Sequence, residues 1–197
     1  EPVIAYNYKE AVEKMGFSKD FKRYTLSEVI DVAFSKFAVC PIVMINVLDP
    51  KKHKESKEGE EYNIIDKTVT IGKEGILLDS LVVKDTTESI TYTLGVDYEI
   101  SFNSDFYAVI HILPDGTASN EIAVKVSYDI LDPTLVESDD IVGGYDSIEK
   151  KYKGLECVSQ VYSKLGVIPG QIIAPGFSQR PVVAAVMRAK TEKISGL

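Results

Sequence analysis

GLECVSQVYSKLGVIPGQIIAPGFSQRPVVAAVMRAKTEKI, residues 154–194, decides how the rest of the chain is read, and its own reading is helix, strand, helix. Leu155, Val158, Val161, Tyr162 and Leu165 recur at near-helical spacing. Gly166 stands where a left-handed C-terminal residue is wanted, and Pro169 forbids the helix from resuming, so the helix ends at about Leu165. Ile172, Ile173 and Ala174 form a short apolar run without alternation, the pattern of a strand covered on both faces, and Pro175-Gly176 ends it. Ser178 offers an N-cap with Pro181 in the first turn that follows. The small residues from Val182 to Ala189 predict a closely packed helix.

The amino-terminal region has the same texture. Glu1 to Ala5 reads as a strand, and Asn7 with Glu10 has the spacing of a capping box on a short helix closed by Gly16. Thr25 with Glu28 is a second box, with Tyr24 placed to staple onto Val29. Leu26, Val29, Ile30, Ala33, Phe34 and Phe37 then mark one apolar helical face. Val39-Cys40-Pro41 turns into Ile42 to Val47, another run of buried-strand type. Phe34 to Pro41 matches Tyr162 to Pro169 in register, so two similar helix-strand units are expected side by side in one sheet. Duplication and the convergence of such turns on Pro, Val and small residues account for the match equally well.

Asp49-Pro50 opens a break, and Lys51 to Glu61, with four lysines and four glutamates around His53, reads as a solvated linker. Alternation follows at Val69 and Ile71, Leu81 and Val83, Ile90 and Tyr92, Tyr98 to Phe102, Ala108 to Leu113, and Ile122 to Tyr128. Turn signals at Gly72–Gly75, Gly95–Asp97, Asn103–Asp105 and Pro114–Gly116 separate these runs, which predicts an antiparallel β-sandwich of six or so strands. Leu131-Asp132-Pro133 nearly repeats Leu48-Asp49-Pro50, so the β region is bracketed like an insertion whose ends emerge near each other. Ser138 to Gly144 reads as a strand or turn before the closing unit. The fold expected is of the α/β (α+β) class. A discontinuous α/β core, residues 1–57 and 132–197, is interrupted by a β-sandwich module at 58–131.

Composition narrows function. The chain has 197 residues, 45% hydrophobic and 26% charged, which suits a globular protein with one or two cores. No apolar run approaches the ~20 residues that cross a bilayer, and no basic-then-apolar signal opens the chain. Membrane insertion is therefore not expected. A formal charge of −8 repels a phosphate backbone, which argues against direct nucleic-acid binding. Cys40 and Cys157 each sit in an apolar pattern with no cysteine nearby, so both are read as buried free thiols, as in a reducing compartment.

No catalytic, cofactor-binding or metal-ligating residue is assigned, because every candidate fails its own spacing test. Gly143-Gly144 and Gly170 to Gly176 lack the Gly-Lys-Ser/Thr ending and the GxGxxG spacing of phosphate-cradling loops, and tight turns explain both. His53 reads as a lone surface histidine and His111 as a lone strand histidine, neither with a ligand at metal spacing. Ser178 lacks the GxSxG spacing of a nucleophile elbow. Asp139-Asp140 and Glu60-Glu61 are adjacent carboxylates that point apart on a strand. Arg188, Lys190 and Lys193 complement the dipole at the end of the last helix.

An ordered series of short motifs carries a family resemblance. Gly154-Leu155-Glu156, Gly166-Val167-Ile168-Pro169-Gly170, Ile173-Ala174-Pro175-Gly176-Phe177-Ser178 and the helix after Pro181 resemble the tail sheath proteins of contractile phage tails and R-type bacteriocins. Lys14-Met15-Gly16-Phe17, Asp20-Phe21, Tyr24-Thr25-Leu26 and Asn46 to Pro50 are similar to the start of their α/β domain, and Tyr92 to Tyr98 and Tyr128 to Pro133 to their inserted module. The resemblance implies a non-enzymatic subunit, without cofactors, of a contractile injection system. It would assemble helically on neighbouring sheath subunits around the inner tail tube and contract to drive that tube through a cell envelope. It also implies assembly in the bacterial cytoplasm and residence in a virion tail or a released bacteriocin particle. Family members extend at both ends, and their linking arms and carboxy-terminal domain have no counterpart after Leu197. These 197 residues by themselves are therefore expected to be monomeric. Two other classes compete. An α/β enzyme with an inserted β domain needs convergent polar residues near Asn46 and Ala174, and a β-sandwich adhesion module needs an exposed aromatic row, which the absence of Trp disfavours.

Overall fold

A computed structural model describes residues 1–195 as an α+β protein with antiparallel sheets. Two compact units are present, Glu1–Asp49 with Pro133–Leu197, and Pro50–Asp132.

The α+β unit begins with strand β1 (Pro2–Ala5), antiparallel to β2 (Ile42–Ile45) with Pro2 opposite Ile45. Helix α1 (Tyr8–Met15) is capped by Asn7, whose side chain accepts from the Glu10 amide at 2.9 Å, and Gly16 ends it at φ 73°. The Glu10 carboxylate reaches the Tyr6 amide, one residue before the position a capping box uses. Helix α2 (Thr25–Ile30) starts one residue earlier than the Thr25 cap predicts, with Tyr24 in the cap position. A turn supplies the reason: the amides of Arg23 and Tyr24 both donate to the Asp20 carbonyl and wind the chain into the helix. The helix then widens to π geometry over Asp31–Lys36, with Phe37 N–H donating to Val32 O. The extra residue per turn rotates the apolar face, so Ile30 is buried while Phe37 is 72% exposed. Ala5, Ala11, Ile30 and Met44 form the first core cluster of this unit.

After the β unit, Ser138–Val142 is a helix, α3, and not the expected strand or turn. The Glu137 side chain accepts from the Asp140 amide while Asp140 accepts from the Glu137 amide, a capping box with acidic residues in both roles. A hairpin follows, β9 (Gly144–Asp146) with β10 (Lys151–Lys153). The helix expected over 155–165 is a 3₁₀ run, Gly154–Gln160, that relaxes into α4 (Val161–Leu165), and Gly166 ends it in the left-handed region at φ 70° as its position predicts.

Ile172 to Ala174 does not form the expected strand, and Ile173 is 56% exposed. Apolarity sets the hydropathy of a strand but not its partner. Among the described residues β2 pairs with β1 alone, so the two helix-turn units do not share a sheet. Helix α5 (Pro181–Ser195) starts with Pro181 itself, its first bond running from the Ala184 amide to the Arg180 carbonyl, while the Ser178 amide donates to Ala174 in the preceding turn. Ser178 is therefore not the cap. Val183 is fully buried, yet Ala184, Ala185 and Ala189 are exposed, so the small residues do not make a closely packed helix here.

The β unit holds two three-stranded antiparallel sheets, β3 (Lys54–Asn63), β8 (Ala123–Leu131) and β5 (Ile76–Lys84) in the first, β4 (Thr68–Ile71), β7 (Ala108–Ile112) and β6 (Tyr98–Phe102) in the second. In each, the last strand of the sequence order to arrive lies in the middle, and one core of residues such as Val69, Val83, Ile110 and Val126 joins both sheets. Most of the expected linker 51–61 is β3. Its charged side chains are mostly exposed on an edge strand, where charge is tolerated and blocks further pairing, while its backbone is paired with β8. The 57/58 boundary read from the sequence falls inside this strand. The Ile90–Tyr92 run makes a single bridge, Thr91 to Lys84. Lys54 lies opposite Leu131, so the first and last strands of the β unit begin and end side by side.

Candidate interface in the α+β unit

The recognisable motifs are spent on backbone geometry. Gly143 and Gly154 cross so closely that a Cβ on Gly143 would lie 1.9 Å from the Lys153 carbonyl oxygen, and one on Gly154 2.5 Å from that of Ile141. Both have positive φ, 69° and 57°. Only glycine fits at this crossing. Leu155 is buried beside it, and Glu156 accepts at 2.6 Å from Lys190, whose side chain is only 10% exposed, tying α5 to the 3₁₀ turn. Arg188 instead bonds Glu192 on the exposed side of the helix at 2.7 Å. Gly-Leu-Glu is thus a packing motif.

The other candidates that the sequence offers are dispersed. His53 is 1% exposed, the opposite of a surface histidine, and its carbonyl accepts from the Asp132 amide where β3 and β8 meet. His111 faces out of β7, with Nε2 2.7 Å from Ser101 Oγ. Cys157 is buried, with Sγ 3.1 Å from the Tyr152 carbonyl and its thiol pushed up by burial, whereas Cys40 is exposed because the π turn carries residues 37–41 out of the core. Asp140 is used as a cap. Among the described residues no group of three or more His, Cys, Asp or Glu is arranged to hold a metal ion.

One polar cluster escapes the reading of Glu60 and Glu61 as diverging carboxylates. Glu60 accepts from Lys73 Nζ at 2.8 Å, from Tyr62 Oη at 2.7 Å and from Tyr128 Oη at 2.6 Å. The Lys73 hydrogen bond, followed by those of Tyr128 and Tyr62, lowers its carboxyl to about 2. Burial first, then the Glu60 carboxylate, pushes Tyr128 up to about 12, and Tyr62 moves in the same direction. Near neutral pH the carboxylate stays ionised and both phenols stay protonated, so no group here exchanges protons and the cluster acts as a pin between β3, β8 and the β4–β5 turn. The alternation of Glu60 and Tyr62 on one strand face is the only signal that foreshadows it.

What the α+β unit does present is an apolar groove of about 940 Å³. Its walls come from α2 and its π extension, from β2, from the Gly154–Val161 turn and from residues 167–177. Phe37, Val39, Ile168 and Ile173 are all more than half exposed along it, and the charged residues that line it are Arg23 and Glu28. The polar side chains among its lining residues are those of Arg23, Tyr24, Thr25, Glu28 and Gln171. A contiguous apolar surface of this kind is a candidate interaction surface.

No protein-family model matches the chain, and no solved structure does. One curated relative is 24% identical over 187 residues, covering 94% of this chain and 38% of its own length: the tail sheath protein of Burkholderia phage BcepMu. The chain is similar to a phage tail sheath protein. The aligned length is long enough to run through both units. The chain nevertheless spans well under half the length of that relative. No described helix is long and apolar enough to cross a membrane.

Proposed function

We propose that this polypeptide is part of a tail sheath subunit, which polymerises around an inner tube and contracts to drive the tube through a target cell envelope. The similarity to a sheath protein along 94% of the chain is the observation that carries the reading. The use of the Gly-Leu-Glu and Gly-Val-Ile-Pro-Gly motifs for folding, not chemistry, supports it. Contraction needs no active site, because its free energy resides in alternative packings of subunit interfaces. In this reading the β unit is a module inserted into a discontinuous core, supported by the side-by-side start of β3 and end of β8. The relative belongs to a phage, which favours a virion tail over a bacteriocin particle as the final location. Assembly takes place in the bacterial cytoplasm, and the tube protein and neighbouring subunits are the partners.

Electron microscopy of a polypeptide of the relative's length is the test. Hollow helical tubes are the expected product, and uniformly monomeric particles under all assembly conditions would overturn the proposal. The 197-residue chain alone is expected to be monomeric by light scattering, since modest lateral patches give weak contacts.

A further inference from the structure

We propose that residues 31–39 are a two-register helical switch at the rim of the apolar groove. In the π register of the structure Phe37 stands out at the rim. In an α register of the same residues it docks beside Ile30 and Phe34, and the rim is cleared. The switch lies within the α+β unit and is independent of the sheath reading.

The sequence and the backbone ask for different registers. Leu26, Ile30, Phe34 and Phe37 recur at the spacing of one α-helical face, and the first three belong to the cluster around Ala5, Ala11 and Met44. The backbone keeps α geometry only as far as Ile30. Over Asp31–Lys36 it is π, with the Phe37 amide donating to Val32 at 3.1 Å and the Val39 amide reaching back to Ala33 at 2.8 Å. Phe37 thereby leaves the face that holds Phe34, joins Val29 and Val32 along the groove, and is 72% exposed. Ala38 then takes φ 51°, a left-handed conformation that a residue with a Cβ adopts at a cost.

The other register is visible elsewhere in the same chain. Tyr162 to Pro169 aligns with Phe34 to Pro41, with Leu165 in the place of Phe37 and Gly166 in that of Ala38. There the helix is α to Leu165, the Gly166 amide donates to Tyr162 at 2.9 Å, and Leu165 is partly buried. An ion pair marks the π register. Lys36 Nζ lies 3.2 Å from Asp31 Oδ2, at a spacing of five residues. Such a pair meets across one π turn, whereas on an α-helix its members stand about 140° apart and do not face each other. The pair and the groove contacts of Phe37 therefore favour π, and burial of Phe37 beside Phe34 favours α, which are the two packings that a bistable element needs.

Exchanging two neighbours, Ser35→Lys with Lys36→Ser, tests the switch in the 197-residue chain. Both residues are exposed, the composition is unchanged, and the positive charge moves to the α spacing from Asp31. With 4-fluorophenylalanine at position 37, fluorine NMR should show the buried state of the ring populated about threefold more in the exchanged variant than in the parent, and Asp31→Asn should shift it the same way. Phe37→Ala should lower the Tm of the exchanged variant by about 2 °C more than that of the parent, a coupling that an ion pair remote from Phe37 packing does not produce. Identical fluorine spectra in the parent and both variants would overturn the inference. Equal Tm losses in the two backgrounds would overturn it as well, since the charge spacing would then have no bearing on where Phe37 packs.

Discussion

The β unit and the α+β unit solve the burial problem in different ways. In the β unit two sheets face each other over one core, and residues such as Ile71, Val83, Ile110 and Val126 are fully buried by partners within Pro50–Asp132. The α+β unit divides its apolar residues between two smaller clusters, Ala5 to Met44 and Leu155 to Val183, and leaves an open groove lined by both halves of its sequence. Two facing sheets meet inward side chains with others from the same sequence, whereas a two-stranded sheet with short helices leaves apolar surface open along the groove. One unit is self-sufficient in burial, and the other keeps apolar surface exposed along its groove.

The largest predicted effect strikes the α+β unit alone. Gly143→Ala places a methyl group into the Lys153 carbonyl at a positive φ, and should destabilise that unit by about 4 kcal/mol or more while leaving the sandwich folded. Loss of helical circular dichroism with retained protection of β7 and β8 amides is the expected signature. Simultaneous collapse of both units would show that their stabilities are coupled. Next in size is Ile110→Ala, which empties a fully buried site in the sandwich core and should cost about 3 kcal/mol there. The same exchange experiment should now show the β unit opening first.

The smallest effect is pH-dependent and confined to the β unit. Glu60 has a folded-state carboxyl near 2, below its ordinary 4.5, so the unfolded chain takes up the proton first as pH falls. Its stabilising contribution is complete above about pH 4.5, declines between 4.5 and 2, and is absent below that. Glu60→Gln should flatten this part of the acid limb and lower the neutral-pH Tm by a few degrees, on the order of 3 °C. An unchanged acid limb in thermal melts at pH 3 to 6 would remove Glu60 from the account.

How much is legible in the sequence depends on whether the deciding contact is local. The sandwich is readable because alternation at Val69/Ile71, Tyr98/Ile100 and Val124/Val126 states which face is inward whatever the partner, and the turns between them carry their own residues. The caps at Asn7, Gly16 and Gly166 are readable for the same reason, each being settled within a few residues. His53 and β3 are misread because a run of lysine and glutamate looks like a linker until a strand 70 residues later pairs with it. Glu60 looks idle for the same reason, since Lys73 and Tyr128 arrive from other strands and turns.

By itself the sequence determined the α+β class, the alternating sandwich strands, and the helix ends at Gly16 and Gly166. Tertiary structure alone decided that Ile172 to Ala174 remains unpaired, that the π turn exposes Phe37 and Cys40, and that Gly143 must pass against Gly154. The physical reason is range. Periodicity, capping and turn chemistry are written within a few residues, whereas strand pairing, close backbone crossings and burial of a charge require partners whose position only the folded chain supplies.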